Sequence, residues 1–336
     1  METLTPARFW EPAEGLSVRC GLCPARCLLP DGGAGRCGAR TNRGGVLFSR
    51  VHGQVRALHV DPIEKKPLYH VLPGTPILSA GTTGCNLTCS FCQNWSLSRA
   101  AAVPGEDALS PSRLVALAQQ HHCPSIAFTY NEPTIQAEYV MDVAELARRQ
   151  GLRVVMVTNG YITQEALPEV YRHVDAANVD LKAFDDAFYR AHCGGSLHAV
   201  LATLQALRRL EVFVEITTLV IPGLNDTPEE MRREAAWIRD HLGPGTPLHL
   251  SAFHPDYRMR DRPPTPRNTL AVLREAALAE GLLFVYEGNV PEGASTTACP
   301  GCGRPVVERA WFTVTRLDLT AGRCRHCGHP LPGIWE

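Results

Sequence analysis

Between Pro76 and Glu287 the chain alternates β-rich runs with longer amphipathic ones, and nearly every β-rich run ends in a polar or glycine-rich motif. The runs are PILSA (76–80), SIAFTY (125–130), RVVMV (153–157), AANVDL (176–181), FVEITTLV (213–220), PLHLSAF (247–253) and LLFVYE (282–287), six or seven strands in all. Strands separated by helix-length segments build a parallel sheet with crossover helices. GTTGCN, TYNEP, TNG, DLK, PGLND and FHPD then fall at strand carboxyl ends, which a β/α barrel gathers on one face. The expected fold class is α/β, a partial (β/α)6-type TIM-like barrel. Its helices carry start signals, Ser110-Pro111 and Thr227-Pro228 with a capping-box glutamate, and Gly151 stands where a helix terminates. No internal repeat appears beyond the β/α alternation.

Eleven of the thirteen cysteines fall into three groups. Cys20, Cys23, Cys27 and Cys37 lie in a glycine-rich stretch; Cys85, Cys89 and Cys92 follow the first strand; Cys299, Cys302, Cys324 and Cys327 form two CxxC pairs near the end. The chain divides accordingly into a Cys-rich segment (1–74), the β/α core (75–295) and a small C-terminal module (296–336). The two flanks are too small to fold without a staple. CPGC and CRHC at their separation make a zinc ribbon, a tetrahedral thiolate site. The N-terminal four suit either zinc or an auxiliary iron–sulfur cluster, because thiolate-only sites accept both. Cys123 and Cys193 read as small buried apolar side chains.

Three thiolates on one tight loop hold three irons of a 4Fe-4S cube, where an electron-transfer cluster takes a fourth cysteine. One iron is left open, and an open coordination position is where a cosubstrate binds. CNLTCSFC, with Phe91 before the third cysteine, resembles the cluster loop of the radical S-adenosylmethionine (radical SAM) enzymes. More narrowly, DPIEKKPLYHVLPG (61–74), GCNLTCSFCQNW, TYNEPTI and VDLKAF resemble the AmmeMemoRadiSam-system radical SAM enzymes, relatives of the pyruvate formate-lyase activating enzymes. The resemblance spans nearly the whole chain.

It implies a radical SAM-type partial barrel. SAM would chelate the open iron, and one electron would split it to methionine and a 5'-deoxyadenosyl radical that abstracts hydrogen from a substrate. Cys85, Cys89 and Cys92 would be the catalytic cluster ligands. Asn131 and Glu132 stand in the GGE-type position that holds the SAM ammonium, with Tyr130 and Asn131 replacing its glycine pair. Thr158 and Asn159 would meet the sulfonium side. Val157 replaces an aspartate frequent in the activases, which weakens a carboxylate-built cation site. Asp180 would accept from ribose hydroxyls and Lys182 pair with the SAM carboxylate. His254 would lie near the adenosyl group, Phe91 against adenine, and Ile221-Pro222-Gly223 at the adenine pocket. Implied partners are Memo-like and AMMECR-like proteins and a flavodoxin or ferredoxin electron donor. Two alternatives stand beside this reading, a glycyl-radical-enzyme activase and a non-catalytic metal-stapled binding or redox-sensing protein.

Composition is compatible with all of this. A formal net charge of -1 gives no field favouring nucleic acid or an anionic membrane. No apolar run approaches the roughly 18 residues of a membrane span. The N-terminal residues lack a signal-peptide core, and clustered thiols suit a reducing compartment, so a cytoplasmic location is expected.

Overall fold

The computed structural model describes residues 4–102, 108–291 and 293–336. An eight-stranded sheet forms its centre: β1 (Ala57–Pro62), β2 (Pro76–Gly81), β3 (Ser125–Phe128), β4 (Arg153–Thr158), β5 (Ala176–Asp180), β6 (Phe213–Val220), β7 (Leu248–Ala252) and β8 (Val285–Gly288). They lie side by side in chain order. β2 through β8 are parallel, with Ile77 opposite Ser125 and Ile216 opposite Leu248, while β1 pairs antiparallel to β2. β1 and β8 remain the two edges, so the sheet is open. The expected parallel α/β order is therefore present, within one or two residues at most strand ends.

β1 is the strand the sequence pattern misses. Its apolar residues Leu58 and Val60 face solvent, so its alternation gives no core-facing signal. It also brings part of the 1–74 segment into the central sheet.

Five longer helices cross between strands: α1 (Pro111–Gln120), α2 (Ala137–Arg149), α3 (Leu197–Arg209), α4 (Pro228–His241) and α5 (Arg267–Ala279). The start signals work as expected. Ser110 Oγ accepts from Arg113 N and Thr227 Oγ1 from Glu230 N, each followed by proline at the first helical position. Gly151 ends α2 with a positive φ of 72°. Glu230, expected to complete a capping box, instead accepts from Phe184 N at 2.8 Å and ties α4 to the loop after β5. No described helix is long and apolar enough to cross a membrane.

One buried acid on α4 gives the fold a pH signature. Glu234 is 1% exposed and accepts from Thr218 Oγ1 on β6. Burial pushes its carboxyl from 4.5 up to about 8, the bond from Thr218 opposing this and neighbouring Glu230 adding to it. Between those values the native state keeps a proton that the unfolded chain releases. Stability therefore falls as pH rises through this window, by up to about 1.4 kcal/mol per pH unit from this group. Glu234→Gln is expected to flatten the slope measured by urea unfolding between pH 5 and 8; an unchanged slope would refute the assignment.

The C-terminal module consists of short antiparallel strands, Thr297–Ala298 with Pro305–Ala310 and Thr313–Leu317, and Leu319–Thr320 with Arg323–Cys324. It docks on residues 64–72 through buried polar groups. His70 is bonded to Pro332 O (2.8 Å) and Tyr286 Oη (2.7 Å), and Leu72 N donates to Ile334 O (2.7 Å). Glu215 on β6 accepts from Tyr69 N, His70 N and His249 Nε2, which fixes the same stretch against the sheet.

Candidate active site

The loop after β2 carries Cys85, Cys89 and Cys92. Gly84 opens it with φ 94°, and a Cβ there would lie 2.3 Å from Cys37 O, so only glycine fits against the N-terminal segment. Strand-end motifs bind this loop from several sides. Asn131, after β3, accepts from Thr82 N (3.0 Å) and donates to Gly84 O (2.9 Å). Asn159, after β4, donates through Nδ2 to Asn86 Oδ1 (2.9 Å) and reaches the Cys85 sulfur at 3.7 Å.

Glu132 links the two motifs. Its carboxylate accepts from Thr134 N (2.9 Å), Thr158 Oγ1 (2.7 Å) and Asn159 N (2.7 Å), and it is 2% exposed. Three of about four acceptor positions are therefore filled from within the protein. Burial raises the carboxyl against these donors, which pull it down. This geometry makes Glu132 a bracket between strand ends rather than a free carboxylate.

Asp180 and Lys182 meet each other at the end of β5, Nζ to Oδ2 at 2.7 Å. Burial works against the Lys182 ammonium, but Asp180 and then Cys89 hold its pKa well above the usual lysine value. The cation thus stands beside the cluster loop. His254 is exposed and lies 3.3 Å from Gln93 Nε2, one residue past Cys92. The same loop covers the cysteines further through Arg258 N to Ser90 O (3.1 Å) and a stack of Tyr257 on Trp95. Phe91 is 3% exposed and packs against Phe188, so its ring faces the core. Ile221 N donates to Asn225 Oδ1, while Asn225 Nδ2 reaches Lys182 O and Leu219 O, so this turn ties β6 to the Lys182 loop.

Two participants escaped the sequence reading. Asn86 is the partner that carries Asn159 to the loop. Cys193 is fully buried beside Cys89, and its influence, ahead of burial, raises the Cys89 thiol well above its usual value. Backbone bonds from Thr88 N to Cys193 O and Ser90 N to His192 O zip the two segments together. No local spacing links Cys193 to the CxxxCxxC loop, so only tertiary structure reveals it. Cys123 is buried with its thiol on His121 O, as expected.

The C-terminal four converge. All four thiols lie within 4.8 Å of one another, with Cys299 to Cys327 at 3.6 Å and Cys302 to Cys324 at 3.8 Å. Tetrahedral zinc, with Zn–S of about 2.3 Å, places its sulfurs about 3.8 Å apart, so the donor set fits. The Cys85 loop also fits its implied group, three soft thiolates on one loop with a lysine cation beside an anionic cluster.

Comparisons with known proteins agree with this geometry. The radical SAM superfamily model matches residues 80–235. An uncharacterized protein of Methanocaldococcus jannaschii, MJ0808, is 41% identical over 331 residues, covering 97% of this chain and 98% of its own length. The pyruvate formate-lyase-activating enzyme of Clostridium pasteurianum is 26% identical over 191 residues, 53% of this chain and 80% of that one. The crystal structure of Streptococcus suis SuiB bound to precursor peptide SuiA shares the fold, with a TM-score of 0.51 at 12% identity over 68% of this chain and 52% of that one. The chain thus belongs to the radical SAM superfamily, as a radical SAM enzyme homologous to the pyruvate formate-lyase activating enzymes.

Proposed function

We propose that Cys85, Cys89 and Cys92 hold a 4Fe-4S cluster whose open iron binds SAM, and that the protein uses it to abstract hydrogen from a substrate. The observation that carries this is a three-thiolate loop braced by Asn131 and Asn159 and faced by the Lys182 ammonium, from three consecutive strand ends. When bound, the cluster would supply the electron that cleaves SAM to methionine and a 5'-deoxyadenosyl radical. The chain's own residues then orient and shield. Lys182 is the cation available to the SAM carboxylate, Asp180 the carboxylate available to ribose, and exposed His254 a polar group beside the cluster loop. Thr158, Asn131 and Glu132 would act mainly by fixing the loop, and Phe91 by seating it on the core. Zinc in the C-terminal set would staple that module.

The sequence match over 61–74, a stretch the structure uses to dock the C-terminal module, supports the narrower AmmeMemoRadiSam reading, with Memo-like and AMMECR-like partners and a flavodoxin or ferredoxin donor. A cytoplasmic setting goes with it, supported by the grouping of eleven of the thirteen cysteines as thiolate ligands, which suits a reducing compartment. The likeness to the Clostridium pasteurianum enzyme favours a second reading, activation of a glycyl-radical enzyme. Anaerobic incubation with a reductant and SAM should release 5'-deoxyadenosine and methionine under both. A glycyl electron paramagnetic resonance (EPR) signal in a co-incubated glycyl-radical enzyme would select the second, and its absence beside turnover stimulated by a Memo-like protein the first. No cleavage of SAM would refute both.

Asn159→Ala tests the bracing. It removes the donor to the Cys85 sulfur and the anchor of Asn86. Residues that orient metal ligands typically cost about 10–100-fold when lost. SAM cleavage is expected to fall by that factor, with a shifted cluster reduction potential in a titration followed by EPR. Unchanged rate and potential would contradict the role.

A further inference from the structure

The N-terminal cysteines form a second site that the proposed chemistry does not use. Cys20, Cys23, Cys27 and Cys37 line one pocket, together with Leu22, Arg40 and Asn86.

Arg40 gives an independent sign of an anionic occupant. It is 1% exposed and lines the pocket, and its Nη2 pairs with Glu138 at 2.8 Å. Its Nε, however, has no hydrogen-bond partner among the described residues. A buried N–H donor left unpaired in a thiol-lined pocket calls for an acceptor there.

Spacing discriminates between metals. The C-terminal thiols crowd within 4.8 Å, as zinc requires, whereas among the described residues no group of three or more at that spacing includes the N-terminal cysteines. Nor does one include Cys85, Cys89 and Cys92. Thiolates on a cube stand further apart than on one ion, because each binds its own iron. Among the described residues, then, no three N-terminal thiols crowd as the C-terminal four do, which disfavours a single tetrahedral ion at that set.

We propose that Cys20, Cys23, Cys27 and Cys37 hold a second, fully ligated 4Fe-4S cluster, packed against the Cys85 loop, with the unpaired Arg40 Nε as a donor to it. The two sites share a wall. Asn86 lines the pocket and bonds Asn159 at the Cys85 sulfur, and Gly84 abuts the Cys37 carbonyl. That position suits a relay. When bound there, the cluster would take one electron from an external low-potential one-electron carrier and pass the same electron to the neighbouring site, returning to its oxidised form. This rests on the radical SAM reading only for the identity of the neighbour.

The test is metal content and EPR of the full chain after anaerobic reconstitution. Wild type is expected to hold about eight irons and a Cys85→Ala/Cys89→Ala/Cys92→Ala variant about four. The variant's reduced signal should be indifferent to SAM. In a Cys23→Ser/Cys37→Ser variant, iron should fall by about half while the SAM-responsive signal persists. Zinc in place of iron in the triple variant, or no metal at the N-terminal set, would overturn the proposal. Failure of wild type to cleave SAM, beside about four irons in the triple variant, would instead refute the proposed function and leave this site standing.

Discussion

Cys89→Ala is expected to reduce 5'-deoxyadenosine formation to background while leaving the protein folded. Cys89 is the central ligand of the loop, 8% exposed, with the Cys193 thiol and the Lys182 ammonium as its neighbours. The backbone around it does not depend on the sulfur. Thr88 N and Ser90 N are bonded to Cys193 O and His192 O, and Ser90 O accepts from Arg258 N. The substitution thus removes a cluster ligand at a folding cost of about 1 kcal/mol, within the ordinary range for a point mutant. Product analysis after anaerobic incubation with SAM, beside urea unfolding, separates the two effects. Turnover equal to wild type would contradict the ligand assignment.

Arg309→Ala should produce the largest loss of stability. Its guanidinium donates to Tyr69 O (2.7 Å), Ser295 O (2.9 Å) and Thr297 Oγ1 (3.0 Å), lies 4.1 Å from the Tyr69 ring centroid and stands 3.8 Å from Glu64 Oε1. Both charged side chains are fully buried. Burial raises the Glu64 carboxyl, while Gly74 N and Arg309 pull it down. Alanine would strand that carboxylate, and breaking a buried pair this way costs about 3–5 kcal/mol. Arg309→Lys should recover little, because an ammonium cannot make the same fork of bonds. Urea unfolding of wild type and both variants checks this; a loss under about 1 kcal/mol would show that the pair does not hold the C-terminal module.

Much of this arrangement is legible in the sequence because parallel strands, buried on both faces, read as short unbroken apolar runs. IAF, VVMV and TTLV define β3, β4 and β6 directly, and the motif ending each run marks the site. Strand β1 is not legible, since an edge strand with exposed Leu58 and Val60 lacks a core-facing pattern. The cysteine groups are visible as spacing, yet spacing alone does not show that the last four thiols lie within 4.8 Å of one another. Glu132 and Asn131 show a further limit. Their identity suggests ligand contact, but their bonds run to neighbouring loops, a distinction that depends on the fold. Cys193 reaches Cys89 only because two segments a hundred residues apart in sequence run side by side.

The central claim is an iron left open for SAM on the Cys85, Cys89 and Cys92 loop. The most direct measurement is EPR of the reduced Cys20→Ser/Cys23→Ser/Cys27→Ser/Cys37→Ser variant, with electron–nuclear double resonance using SAM labelled at its amino nitrogen and carboxylate. The account predicts that SAM changes the spectrum and that both labels couple to the cluster. A spectrum indifferent to SAM, or zinc alone in the loop, would contradict it.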